Sequence, residues 1–321
     1  MSGRIILHIG THKTATTHLQ RSLSARAGEL AEQGIWYPKY DVINMPTHYA
    51  HIGAVNALAG AETAMTQAEA RRFFETVVQR GADFDTTIIS AESLWRHFDD
   101  ATGGDYWDKR KVFITGLAEI FPSDTTVAVV LRRQADFAHS FYQEHVKATR
   151  YTEDFETYRQ AFWYHFEYLD QLRQWRAVFP SVVAMRFDDL IAGRPIEVFG
   201  AALGLDLTDV PSARHINPAW QADLTVLKRA LNATGAGRKQ LRDRVERLAG
   251  KLGQRKRVLY HDAADRRAFQ SGFDAQNHQL KQEFFGTLSQ GPLFEADFDE
   301  GVVFGDEMTP DFLASLVGLI N

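Results

Sequence analysis

Apolar residues follow two patterns along the chain. Short unbroken runs, RIILHI (4–9), TTIIS (86–90), TVAVVL (126–131) and VVAMRF (182–187), alternate with longer stretches in which apolar positions recur every three or four residues. Unbroken β-branched runs fit strands buried on both faces, and the recurring spacing fits amphipathic helices. The alternation predicts an α/β protein with a central parallel sheet covered on both sides, a three-layer arrangement. After the first run, Leu19, Leu23 and Leu30 keep helical spacing up to Gly34, and GIWYP (34–38) offers a further short strand. Helices are predicted near 67–80, 109–121, 133–149 and 154–179. Residues 39–66 read mostly as loop, an insertion placed to cover a site. From about 195 the pattern is chiefly helical, through IEVFGAALGL, ADLTVLKRALN, 238–252 and 264–286. With no internal repeat or low-complexity linker, the simplest organisation is a single domain over 1–321 with a helical C-terminal portion.

Parallel sheets place ligands at the carboxyl ends of their strands. The first run ends in GTHKTATTHLQ (10–20), which is poor material for a core and good material for an anion. A helix start offers backbone amides and the positive end of the helix dipole. Lys13 adds a mobile positive charge, and Thr14, Thr16 and Thr17 add hydroxyls. The plain alternative is a capped helix with a solvated lysine. The ATP- and GTP-hydrolase loop G-x-x-x-x-G-K-[ST] does not fit, because Lys13 comes too early after Gly10 and the second glycine is missing. The third run repeats the arrangement: Arg132 follows the apolar strand and Ser140 stands eight residues later on the predicted helix. An arginine fork and a hydroxyl so placed suit one phosphate, the alternative being an ion pair of Arg132 with Asp136.

The composition narrows the chemistry. There is no cysteine, which removes disulfides, thiolate nucleophiles and cysteine-ligated metals. The formal net charge of −5 argues against a surface devoted to nucleic acid. The apolar run before Gly10 is too short for a signal-peptide core and no stretch is long enough for a membrane span, so the expected location is the cytoplasm.

Taken together, KTATT (13–17) and RRQADFAHS (132–140) resemble the PAPS-dependent sulfotransferase family, whose donor is 3′-phosphoadenosine 5′-phosphosulfate. KTATT is similar to that family's 5′-phosphosulfate loop K-[ST]-G-T-T, and RRQADFAHS to its 3′-phosphate motif R-x7-S. Weaker resemblance continues in RFDDL (186–190), RHINP (214–218) and FDAQNHQLKQEFFG (273–286). The resemblance implies a P-loop-like fold, PAPS as donor with PAP as product, and no metal. It also implies a donor site of Lys13, Thr14, Ala15, Thr16, Thr17, His18, Arg132 and Ser140, with Lys13 stabilising charge on the bridging oxygen. Ala15 stands where the family has glycine, and a negative φ at a loop entering a helix would suit it.

Sulfuryl transfer also needs a base beside the acceptor. TTIISAESLWRHF (86–98) puts Glu92 just past the second run, on the edge shared with Lys13 and Arg132 if the strands are adjacent. The segment resembles the E-K-[ST] region of glycan sulfotransferases, in which the glutamate is the base, although Ser93 stands in place of the lysine. The alternative is a carboxylate capping a turn. His48, His51 and His97 are the other candidates near the substrate, since imidazole titrates near neutrality. His48 and His51 have no evident third partner for a metal. The implied acceptor is a hydroxyl or amine, foremost on a carbohydrate. The aromatic segment 151–179 reads mainly as core, and the basic amphipathic stretch 238–257 as a solvated face or a surface for an anionic acceptor. Two other readings stay open: a nucleotide-dependent kinase with an atypical phosphate loop, and a non-catalytic nucleotide-binding protein.

Overall fold

The computed structural model describes residues 3–61, 63–99, 102–211, 220–234, 257–286, 291–295, 298 and 301–320. RHINP (214–218) and the basic stretch 238–257, apart from Arg257, lie outside them. The protein is mixed α/β with a central parallel sheet. The chain divides into two compact units: residues 1–132, 167–215 and 276–291 form the first, and 133–166, 216–275 and 292–321 the second.

The first unit holds five parallel strands, β1 (Arg4–His8), β2 (Ile35–Trp36), β3 (Thr86–Ser90), β4 (Thr126–Leu131) and β5 (Ser181–Arg186), in the order β2-β3-β1-β4-β5. The predicted apolar runs are these strands, and β1, β3 and β4 are buried throughout apart from Arg4. Parallel pairing sets residues of equal register side by side on one face. His8 is therefore level with Ser90 on β3 and with Ala128 on β4. On the face carrying Ile6, Ile88, Ala128 and Val130, the core is completed by Leu19 and Leu23 of the helix Thr16–Ala25 and by Ile196 and Phe199 of the helix Pro195–Ala202.

The helices Gln67–Gly81 and Tyr106–Leu117 each begin with a capping box, Thr66 with Glu69 and Asp105 with Asp108, which satisfies amides that a helix start leaves open. The segment 39–66, expected to be loop, contains a 3-10 turn Tyr40–Ile43 and a helix Ile52–Leu58. That helix is too short to show a periodic stripe. The Tyr40 hydroxyl holds it, donating to Ala50 O at 3.2 Å and accepting from Ala54 N at 3.1 Å.

The second unit is largely helical, with Gln134–Ala148, Phe155–Ala161, Ala222–Asn232, Ala263–Ser271 and Pro310–Ile320, and a two-stranded parallel sheet of Arg257–Val258 with Val303–Phe304. The predicted helix 154–179 is interrupted: it ends at Ala161, passes through a 3-10 turn Trp163–His165, and a separate helix, Tyr168–Val178, belongs to the first unit. No glycine or proline signals the break. Rings pack at it instead: Phe162 lies on Tyr158 one turn earlier at 4.5 Å, and His165 meets Phe141 of the helix Gln134–Ala148 edge-on at 4.9 Å, a tertiary contact that overrides the local period. The stretch 264–286 is likewise two helices, Ala263–Ser271 and Asp274–Phe284, parted at Gly272 and Phe273.

Candidate functional site

The loop after β1 is stitched together by its own hydroxyls. Thr11 Oγ1 donates to Val130 O on β4 at 2.8 Å, Thr14 Oγ1 donates to Thr11 O at 2.5 Å, and Thr16 Oγ1 reaches the same carbonyl at 3.3 Å. Thr14 and Thr16, expected as donors to an anion, spend their hydroxyl protons on loop carbonyls. Gly10 has φ 36°, and a Cβ there would lie 3.1 Å from Thr16 Oγ1 and 3.4 Å from His8 Nε2, so a larger residue would be both crowded and strained.

Lys13 and Ala15 are both left-handed, with φ 66° and 61°. This corrects the expectation of a negative φ at Ala15. The residue adopts the conformation that glycine takes readily and does so at a cost of roughly 1–2 kcal/mol. Strain of this kind, in two non-glycine residues of one loop, is characteristic of ligand sites. Left-handed residues in a turn aim successive amides to one side, as anion-binding nests do. The helix Thr16–Ala25 starts immediately after, its first backbone bond running from Leu19 N to Ala15 O at 3.1 Å. The amides of Thr16 and Thr17 thus lie ahead of the helix ladder, at the positive end of its dipole. Thr17 and His18 are half-buried on its first turn.

Arg132 follows β4 and reaches the loop, with Nη1 3.4 Å from Lys13 O and the guanidinium 4.9 Å from the Phe187 ring. Its carbonyl accepts from the Tyr168 hydroxyl at 2.8 Å. The alternative partner Asp136 is engaged within the second unit, by Arg133 at 2.7 Å and Arg266 at 2.5 Å. Ser140 is buried on the helix Gln134–Ala148 of that unit.

Glu92 opens a 3-10 turn, Glu92–Trp95, directly past β3. Because β3, β1 and β4 are neighbours, Glu92, Lys13 and Arg132 all stand at the carboxyl edge of adjacent strands. The Glu92 carboxylate is buried and accepts from Gln20 Nε2 at 2.8 Å. Ser93, in the position of the family's lysine, is fully buried.

The three histidines have separate surroundings. His51 takes the Ser90 amide at Nδ1 (2.9 Å), which leaves Nε2 to donate to Pro38 O (2.8 Å). Burial pushes its pKa down to about 4; Nδ1 ties His51 to β3 through Ser90, and Nε2 ties it to the backbone at Pro38. His97 contacts Asn56 Oδ1 at 2.7 Å, and burial holds its pKa down to about 3. His48 is exposed and bonds Ala50 through Nδ1, with its ring 4.2 Å from that of Tyr49. Among the described residues no group of three His, Asp or Glu side chains is placed to hold a metal ion, and no helix is long and apolar enough to cross a membrane.

Two polar residues at this edge escaped the sequence reading. His8 is fully buried, with Nδ1 2.8 Å from Ser90 Oγ and a pKa pushed down to about 4 by burial. Gln20 is fully buried on the stripe shared with Leu19 and Leu23. The signal for both was a polar side chain at a position whose period assigns it to the core.

No known family profile and no curated protein matches the chain. Among solved structures, a sulfotransferase from Alicyclobacillus acidocaldarius aligns with 73% of this chain and 94% of its own, at 17% identity and a TM-score of 0.41.

Proposed function

We propose that the protein is a PAPS-dependent sulfotransferase acting on a hydroxyl or amine acceptor, with a carbohydrate the foremost class. The observation that carries this reading is the strand order, which puts the strained anion loop with Lys13, the arginine Arg132 and the carboxylate Glu92 at one sheet edge. In the proposed step Glu92 takes the proton of the acceptor while its oxygen or nitrogen bonds to sulfur. The bond from sulfur to the 5′-phosphate oxygen breaks, and its electron pair leaves on that oxygen as PAP is formed. Lys13 and the loop amides stabilise the charge that develops there, a task that preorganised donors perform well. Arg132 binds the 3′-phosphate, and Ser140 is the second residue that the R-x7-S motif offers for it.

Calorimetry tests the donor site, comparing adenosine 3′,5′-bisphosphate with AMP and with ATP, each with and without magnesium, for the wild type and Arg132→Ala. The expected result is tighter binding of the bisphosphate than of AMP without metal, and loss of that preference in Arg132→Ala. Best binding by ATP with magnesium, with no gain from the 3′-phosphate, would sink the proposal and point to a kinase. Bisphosphate binding with no transfer to any acceptor, and no change in Glu92→Gln, would point to a non-catalytic nucleotide-binding protein.

A further inference from the structure

Gln20 makes one bond that the stability of the fold does not explain. Its amide nitrogen lies 2.8 Å from Glu92 Oε2 and 3.4 Å from Ser90 O, so the amide's orientation is settled by two acceptors. Its Oε1 is consequently left buried with no hydrogen-bond partner. A buried carbonyl without a donor is costly, and an apolar side chain of the same shape would avoid that cost. Gln20 also stands on the helix that begins at the anion loop, whereas Glu92 follows a different strand. One side chain therefore ties the helix of the donor loop to the candidate base.

We propose that Gln20 is a positioning residue that fixes the Glu92 carboxylate, in its ionised form, relative to the donor loop. The inference rests on the sulfotransferase reading. A donor to a carboxylate favours the charged form and restrains its rotation. The titratable groups around this contact are Tyr37, which interacts with Glu92 and whose pKa is raised by burial, and His51 and His8, both bonded to Ser90 and both lowered by burial. All three are neutral near pH 7, and the Gln20 amide donates directly to the carboxylate, so its loss bears on the ionisation of Glu92.

The test uses the full chain with Gln20→Met, which keeps length and removes the donor, and Gln20→Glu, which sets a second carboxyl beside the first. Three quantities are read: affinity for PAP by calorimetry, the Glu92 carboxyl titration by carbon NMR with assignment from Glu92→Gln, and the pH dependence of PAP release from PAPS with water as acceptor. Gln20→Met is expected to keep PAP affinity within about twofold and to leave the melting temperature unchanged or higher. It should raise both the Glu92 midpoint and the acid limb of the rate profile by about one pH unit, and Gln20→Glu should raise them further. An unchanged midpoint in Gln20→Met, or a rate lowered equally at every pH together with a lower melting temperature, overturns the inference and leaves Gln20 a packing residue. Failure of the wild type to bind PAP or to turn over PAPS is a distinct result and overturns the sulfotransferase reading itself.

Discussion

Ala15 concentrates the energetics of the loop in one methyl group. Its backbone is left-handed, with φ 61°, and alanine adopts this conformation against a steric cost that glycine avoids. Ala15→Gly is therefore expected to raise the unfolding free energy by about 1 kcal/mol, part of the relief being offset by the extra freedom of glycine in the unfolded chain. Urea denaturation measures it, and an unchanged or lower midpoint would show that the loop is held by its neighbours at no cost. Gly10 works in the opposite sense, since a Cβ there meets Thr16 Oγ1 and His8 Nε2. The strand, loop and helix start around KTATT were legible in the sequence, but the sign of φ at Ala15 was not. Backbone conformation at one residue depends on what the threonine hydroxyls bond to, and Thr11, Thr14 and Thr16 turn inward to carbonyls.

At the scale of elements, the four longest strands were legible because each is an unbroken apolar run flanked by polar residues. Short elements held by tertiary contacts were not. The helix Ile52–Leu58 depends on Tyr40 and His51, and the break between Ala161 and Tyr168 holds His165 edge-on against Phe141 from a separate helix. His51→Ala removes the acceptor of the Ser90 amide and the donor to Pro38 O, leaving two buried backbone groups unsatisfied. Destabilisation of about 2–4 kcal/mol is expected, with hydrogen exchange quickening first in residues 39–61. Uniform quickening across the sheet would contradict a local pinning role. Thr66→Ala is a milder case: it removes the N-cap of Gln67–Gly81 and should cost about 1 kcal/mol, read from the shift in denaturation midpoint.

For the molecule as a whole, buried neutral histidines govern the response to acid. His8 and His51 are held down to about 4 and His97 to about 3, each chiefly by burial, against an ordinary value of 6.5. As pH falls through 6.5 the unfolded chain takes up protons that the folded chain refuses, so folding stability decreases from that point down to the folded-state values. Above pH 6.5 these three contribute no pH dependence. With about 1.4 kcal/mol for each unit of depression, the loss between pH 6.5 and 4 amounts to a few kcal/mol per histidine. Denaturation midpoints measured at pH 7.5, 6 and 5 should fall in that order, and replacing His97 by Gln should flatten the fall. A midpoint constant over that range would show that the histidines carry their protons in the folded protein.

The central place of β1 has a consequence for the life of the chain. Its neighbours, β3 and β4, lie at residues 86–90 and 126–131, and the loop's own anchor is Thr11 on Val130. Residues 10–17 can therefore make this contact only once residue 130 has been synthesised. At a synthesis rate of roughly 5–20 residues per second, that delay lasts about 6–23 seconds. Placement of β1 between its neighbours and anchoring of the loop are therefore linked. On the proposed function, a donor that binds only the finished loop stabilises the first unit by mass action, and its concentration becomes a lever on how much of that unit is folded.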